Sequence, residues 1–186
     1  MDYFQGVVIE YLRAKRSIFV NPQYLISLDE GKLKKGRHWY CDSVAVDLKE
    51  KSIYLCEITY SSNAYALISR LADWRSCWQE VADSIRRDSS VPSEWAVRPW
   101  IFIPRKYEED FRSKFGRFST PSDSAVQMPY PLITHLESTL PWEYLITWDR
   151  KIDHFAVEKN ALTVAEPEKV PVNVTDLVDA TVGRRV

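Results

Sequence analysis

Apolar residues recur at helical spacing near the start of the chain. Phe4, Val7, Val8, Tyr11 and Leu12 form one stripe, which predicts a helix over residues 2–16. Asp2 suits its N-terminal end and Arg13, Lys15 and Arg16 its C-terminal end, because the helix dipole favours those charges there. Residues 17–20 predict a short strand ended by Asn21-Pro22, and the polar stretch 26–36 predicts a solvated turn or hairpin tip. Two short runs rich in Val, Ile and Tyr, 38–48 and 52–60, predict a pair of strands around Lys49-Glu50-Lys51, a spacing of hairpin length. Leu67, Leu71, Trp74, Trp78, Val81 and Ile85 then give a strong helical stripe, predicting one long helix over 63–87. A mostly apolar strand follows at 97–103, containing Pro99 and ended by Pro104. After it comes a short amphipathic helix at 107–115, closed by Gly116. Residues 118–131, rich in Ser, Thr and Pro, predict a loop, and 142–148 and 155–157 predict a helical turn and strands.

This order of helix, strand, hairpin, long helix and strand predicts an α/β fold with a central mixed sheet flanked by helices. The hairpin pair is antiparallel, and the strand after the long helix returns by a crossover and can pair in parallel. The expected division is one α/β domain over 1–160 and an extended tail over 161–186, where aromatics cease. The 7 Trp, 10 Tyr and 7 Phe provide ample apolar area for a core. A formal net charge of -1 excludes a general polycation, so a nucleic-acid surface has to be a local patch. Three widely spaced cysteines, Cys41, Cys56 and Cys77, argue against a disulfide framework and for a reducing cytoplasm. No apolar run approaches the roughly 20 residues that span a bilayer, and the start shows no signal-peptide pattern. The expectation is a cytoplasmic protein without a membrane role.

The candidate chemistry is acidic. A two-residue turn at Glu50-Lys51 sets Val44 against Glu57 and Asp42 against Thr59, with all four side chains on one sheet face. Asp42 and Glu57 are then diagonal neighbours within roughly 7–8 Å, a range at which two carboxylates can share one Mg²⁺. Asp47 points to the opposite face in that register. Glu10, on the flank of the first helical stripe beside Tyr3 and Ala14, is a third candidate, although a lone helical glutamate is usually solvated.

The stretch Trp39-Tyr40-Cys41-Asp42, followed by Tyr54-Leu55-Cys56-Glu57-Ile58-Thr59 on a hairpin that precedes a long helix and a further strand, resembles the PD-(D/E)XK nuclease core. The resemblance covers about residues 1–105. It implies a restriction-endonuclease-like αβββαβ core and metal-dependent hydrolysis of phosphodiester bonds in DNA or RNA. It further implies Glu10, Asp42 and Glu57 as ligands of Mg²⁺ or Mn²⁺, with Asp42, Glu57 and Thr59 at the catalytic positions. Cys41 stands where that family has proline, and Thr59 stands where it has lysine. Threonine cannot supply the lysine's charge. Arg70, near the start of the long helix and off its apolar stripe, is a candidate replacement, against the plainer reading of a surface arginine. The alternative to a nuclease is therefore a degenerate nuclease fold that binds nucleic acid or protein without cutting, and a homodimer or protein partner fits either reading.

Basic residues concentrate ahead of Asp42. Lys15, Arg16, Lys34, Lys35 and Arg37 could edge the acidic cleft and hold a phosphate backbone, or belong to an ordinary solvated loop. Trp95, Trp100 and Trp142 could stack on bases but are more simply core. The Cys residues and His38, His135 and His154 lack the paired spacings of a zinc site.

Overall fold

The computed structural model describes residues 2–29, 36–117 and 127–144, and all of these belong to one compact unit, Met1–Arg150. Five strands form a mixed sheet in the order β1-β2-β3-β4-β5. The chain opens with α1 (Tyr3–Ala14), then runs through β1 (Ile18–Ser27), β2 (His38–Asp47) and β3 (Ser52–Ile58). Two helices, α2 (Tyr65–Ser76) and α3 (Trp78–Asp88), lead to β4 (Ala96–Ile103). A 3₁₀ turn (Arg105–Tyr107), α4 (Glu108–Arg117), β5 (Leu132–His135), a second 3₁₀ turn (Leu136–Thr139) and α5 (Pro141–Tyr144) follow. β1, β2 and β3 are antiparallel, whereas β4 joins β3 in parallel and β5 joins β4 in parallel. The fold is thus α/β with a mixed sheet and flanking helices, as the pattern of apolar positions implies.

α1 starts where Asp2 caps it. The Asp2 carboxylate accepts from the Gln5 backbone N–H at 2.8 Å, and the Gln5 side chain accepts from the Asp2 N–H at 3.0 Å, a reciprocal box that satisfies two otherwise free donors. Its apolar stripe buries Val8, Ile9, Tyr11 and Leu12. The stripe of α2 and α3 buries Leu71, Trp74, Trp78, Val81 and Ile85 in one cluster with Ile53, Leu55, Ile101 and Ile103 of the sheet.

Four details differ from the sequence pattern, each for a local reason. β1 continues through Asn21-Pro22 to Ser27. It is an edge strand, where proline costs no ladder bond on its open side. The single helix expected over 63–87 is two, broken at Cys77. There the Ser76 hydroxyl donates to the Asp73 carbonyl at 2.7 Å and the Cys77 N–H turns to Trp74, so the regular i to i−4 bond is lost at this point while the apolar stripe carries on. β4 contains Pro99 as expected; it is an interior strand, but β5 pairs only from Trp100 onward, so the missing N–H is on an unpaired flank. The third difference is β5, Leu132–His135, which the pattern does not predict. The short strand β5 has too few residues for a period to show.

The fourth difference is the hairpin register. Asp47 pairs with Ser52, so the turn has four residues, 48–51, with Lys51 in the left-handed region at φ 50. Asp47 fixes this turn. Its carboxylate accepts from the N–H groups of Lys49 and Glu50 (3.0 and 3.2 Å), from the Ser17 hydroxyl (2.9 Å) and from Lys15 Nζ (2.8 Å). Burial works against its charge, but Lys15, the Glu50 N–H and Ser17 outweigh it and hold the carboxyl below its ordinary value. Asp47→Ala should lower stability by about 2 kcal/mol, because it strands several donors, one of them charged. Urea unfolding at pH 7 measures this, and an unchanged midpoint would show that the turn forms without the carboxylate.

The residues from 145 onward, including the expected strands near 155–157, the boundary at 160 and the tail 161–186, lie outside the described residues, as do Lys32, Lys34, Lys35 and His154.

Candidate functional site

Glu57 is the penultimate residue of β3, beside Ile101 of the parallel strand β4. It is only 3% exposed. Arg70 reaches it from α2 and donates from one guanidinium nitrogen to Oε2. The other carboxylate oxygen, Oε1, is buried and has no hydrogen-bond partner. Burial pushes the Glu57 carboxyl up to about 7; the Arg70 hydrogen bond opposes this and the charge of Asp42 adds to it. The Asp42 N–H also favours the charged form, without meeting hydrogen-bond geometry. Arg70 is thus a partner of the site and not a plain surface arginine, although a third of its side chain stays exposed.

Asp42 reaches the same place by a route that strand alternation does not describe. The ladder between β1 and β2 skips the Gln23–Asp42 pair, and Gln23 has φ 51. The ladder between β2 and β3 ends one residue earlier, at Ser43 and Cys56. On either side of this irregularity Cys41 and Val44 both join the same apolar cluster, which an even alternation forbids. Released from the ladder, Asp42 accepts from the Ile58 backbone N–H at 2.7 Å through Oδ2 and from Gln5 Nε2 at 2.8 Å through Oδ1. Burial raises its carboxyl more than the Ile58 N–H, Arg70 and Gln5 lower it. The placement opposite Thr59 and diagonal to Glu57 is therefore corrected: the four-residue turn moves the register by two, and Asp42 is tied through its side chain to the N–H of Ile58, the residue that follows Glu57.

The residue of α1 that meets this site is Gln5, not Glu10. At about 100° per residue the two are roughly 140° apart around the helix. Glu10 is 66% exposed at its side chain and pairs with Arg13 at 3.1 Å. Among the described residues no group of three acidic, His or Cys side chains is placed to hold a metal ion. The sequence held half the signal for Gln5, since Asp2-x-x-Gln5 has capping-box spacing; its second bond, to Asp42, depends on tertiary packing. Thr59 lies just beyond the pair. Its N–H donates to the Phe102 carbonyl, and its hydroxyl accepts from the Ser61 N–H at 3.1 Å.

Of the basic residues, Lys15 is committed to Asp47 and Arg37 to Asp29 and Glu80. Arg16 is exposed, and Lys34 and Lys35 lie outside the described residues. Trp100 is buried core and Trp95 packs against the core, while the Trp142 side chain is outside what is described. Cys41 and Cys56 are buried free thiols, both pushed up by burial. No described helix is long and apolar enough to cross a membrane.

No family model matches the chain, and among curated proteins none matches it.

Proposed function

We propose that Asp42 and Glu57 hold one divalent cation, Mg²⁺ or Mn²⁺, and that the chain hydrolyses phosphodiester bonds in DNA or RNA on a restriction-endonuclease-like core. The observation that carries this reading is the buried, unpartnered Oε1 of Glu57, on a carboxylate that feels the charge of a second one, Asp42. A buried polar oxygen without a donor costs on the order of 1–3 kcal/mol, and a hard cation is the ligand that carboxylate oxygens suit. The site also lies at the carboxyl ends of the parallel strands β3 and β4, where open α/β sheets bind ligands. The succession of helix, three antiparallel strands, helices and a parallel strand supports the core assignment.

Such a cation, when bound, would polarise a phosphate oxygen and acidify a water. The protein's own groups have distinct tasks. Gln5 and the Ile58 N–H orient Asp42. Glu57, deprotonated above about 7, offers its inner oxygen. Arg70 neutralises Glu57 in the resting site and, being partly exposed, can turn toward a phosphate and offset its developing charge in place of the lysine that Thr59 replaces. Arg70→Ala should therefore separate two quantities. Cleavage should fall by roughly 10²-fold, the scale of one charge-stabilising group, while Mn²⁺ should bind more tightly because a competing cation is gone. Cleavage and Mn²⁺ titrations of this variant check both; a weaker Mn²⁺ affinity would mean that Arg70 builds the site and does not compete for it.

Two observations favour a second reading, a degenerate fold that binds nucleic acid or protein without cutting: threonine at position 59, and the neutralisation of Glu57 by Arg70. A gel assay on single- and double-stranded DNA and RNA with Mg²⁺ or Mn²⁺ separates the two. The nuclease reading expects cutting by the wild type. An inert wild type whose Thr59→Lys variant cuts would establish the second.

A further inference from the structure

We propose that the aromatic surface beside the carboxylate pair is a stacking platform for an unpaired base, so that the substrate is single-stranded nucleic acid or a strand with an extruded base. This rests on the reading of Asp42 and Glu57 as a phosphodiester site.

Tyr60 follows Thr59 directly at the carboxyl end of β3 and is 54% exposed. Its ring stacks flat on Phe4 of α1, with centroids 4.7 Å apart and planes 7° from parallel. Tyr3, 71% exposed, meets Phe4 edge-on at 5.4 Å and extends the surface. Lys106, in the turn after the neighbouring strand β4, places Nζ 5.8 Å from the Tyr60 ring and 4.7 Å from the Tyr107 ring. These residues come from three segments that also frame the site. Gln5, next to Phe4, binds Asp42, and Thr59 separates Tyr60 from the end of β3.

Large exposed aromatic rings gathered in one place are costly to leave in water unless something covers them. A flat base is the occupant that the chemistry favours. Each base offers a π-face of any sequence, and rings already stacked in parallel provide a rigid counterpart. The exposed ammonium of Lys106, over the tyrosine rings, supplies what an apolar protein partner would not need, a cation within reach of the phosphate that adjoins a stacked base. Two acidic groups lie on this rim and both are engaged with backbone: Glu137, whose carboxylate accepts from the Arg105 N–H, and Asp2, whose carboxylate accepts from the Gln5 N–H. In a duplex the base faces are covered by their neighbours, so a perfect helix cannot use this surface.

The test is fluorescence anisotropy of the full chain with a labelled oligonucleotide of about 12 nucleotides, within the usual footprint of such surfaces, in EDTA at low salt. Three forms are compared: the single strand, the same strand carrying abasic sites, and its perfect duplex. The single strand should bind about ten-fold more tightly than either other form. Tyr60→Ala should lose about that factor and bind base-bearing and abasic strands alike, whereas Tyr60→Phe, which keeps the ring, should behave as wild type. Lys106→Gln should reduce the salt slope by about one ion. Equal affinity for base-bearing and abasic strands, an unaffected Tyr60→Ala variant that retains the wild-type melting temperature, or no binding to any form would overturn the proposal. Asp42→Ala should keep the base dependence. Base-dependent binding without cutting would leave the platform standing and remove the hydrolytic reading. Cutting of duplex that ignores Tyr60→Ala would do the reverse.

Discussion

Asp42→Ala and Glu57→Ala should each lower Mn²⁺-dependent cleavage by on the order of 10³-fold or more, since each removes one of two carboxylates and with it the charge stabilisation a bound cation supplies. The loss should not be additive, because either change alone empties the site; the double variant should cut no more slowly than each single one. Asp42→Asn is informative beside them. It keeps an oxygen for the Ile58 N–H and nearly the same shape, but removes the charge and sets its amide NH2 against the donor of Gln5. It should be nearly as inactive as Asp42→Ala. Cleavage persisting unchanged in these variants would come from a contaminant or another site. Glu10→Gln should cut as wild type, because Glu10 lies on the exposed side of α1 with Arg13.

The second large effect is on stability. Burial first, and the charge of Asp42, raise the Glu57 carboxyl from 4.5 to about 7, against the Arg70 hydrogen bond. The folded protein therefore binds more protons than the unfolded chain between these values. Its contribution to stability is fully present below about 4.5 and is lost as pH rises through about 7. Summed over that interval the loss is about 3 kcal/mol. In EDTA, the wild type should lose stability between pH 5 and pH 8 from this group, and Glu57→Gln should remove that part of the slope, leaving the variant more stable than wild type at pH 8. Chemical denaturation of both proteins across this range measures it. A Glu57→Gln variant that is less stable than wild type at pH 8 would mean that the ion pair with Arg70 outweighs the burial of the carboxylate.

How much of this was legible beforehand depends on the range of the forces involved. The helical stripes of α1, α2 and α3 and the β2–β3 hairpin show in the apolar pattern, because burial of one face imposes a period on each element. Asp42 and Glu57 were legible as a pair because they flank one hairpin. Their actual contact was not. It follows from the Asp47 turn, which shifts the register by two, and from the irregularity at Gln23 and Asp42, which breaks alternation. The turn combines local bonds from the Lys49 and Glu50 N–H groups with distant ones from Lys15 and Ser17, and Asp42 is held by the distant Gln5 and Ile58. Glu10 stands on the flank of the α1 stripe and carries the charge a metal ligand needs, but rotation about α1 decides which residue meets the site, and that residue is the uncharged Gln5. Arg70 sits off the apolar stripe like any solvated arginine; only the position of Glu57 across the sheet reveals its role. Tyr60 reads as the end of the strand 52–60 and Tyr3 as part of the first helix, but β3 stops at Ile58 and both rings are exposed, so nothing in the pattern marks them as one surface.

The most direct test of the central claim is a calorimetric titration of the metal-free protein with Mn²⁺ at pH 8, where Glu57 is ionised. One ion per chain should bind to the wild type and to Glu10→Gln, and binding should be lost in Asp42→Ala and in Glu57→Gln. Mn²⁺ binding that survives both of those changes, or that disappears with Glu10→Gln, would contradict a cation site built on Asp42 and Glu57.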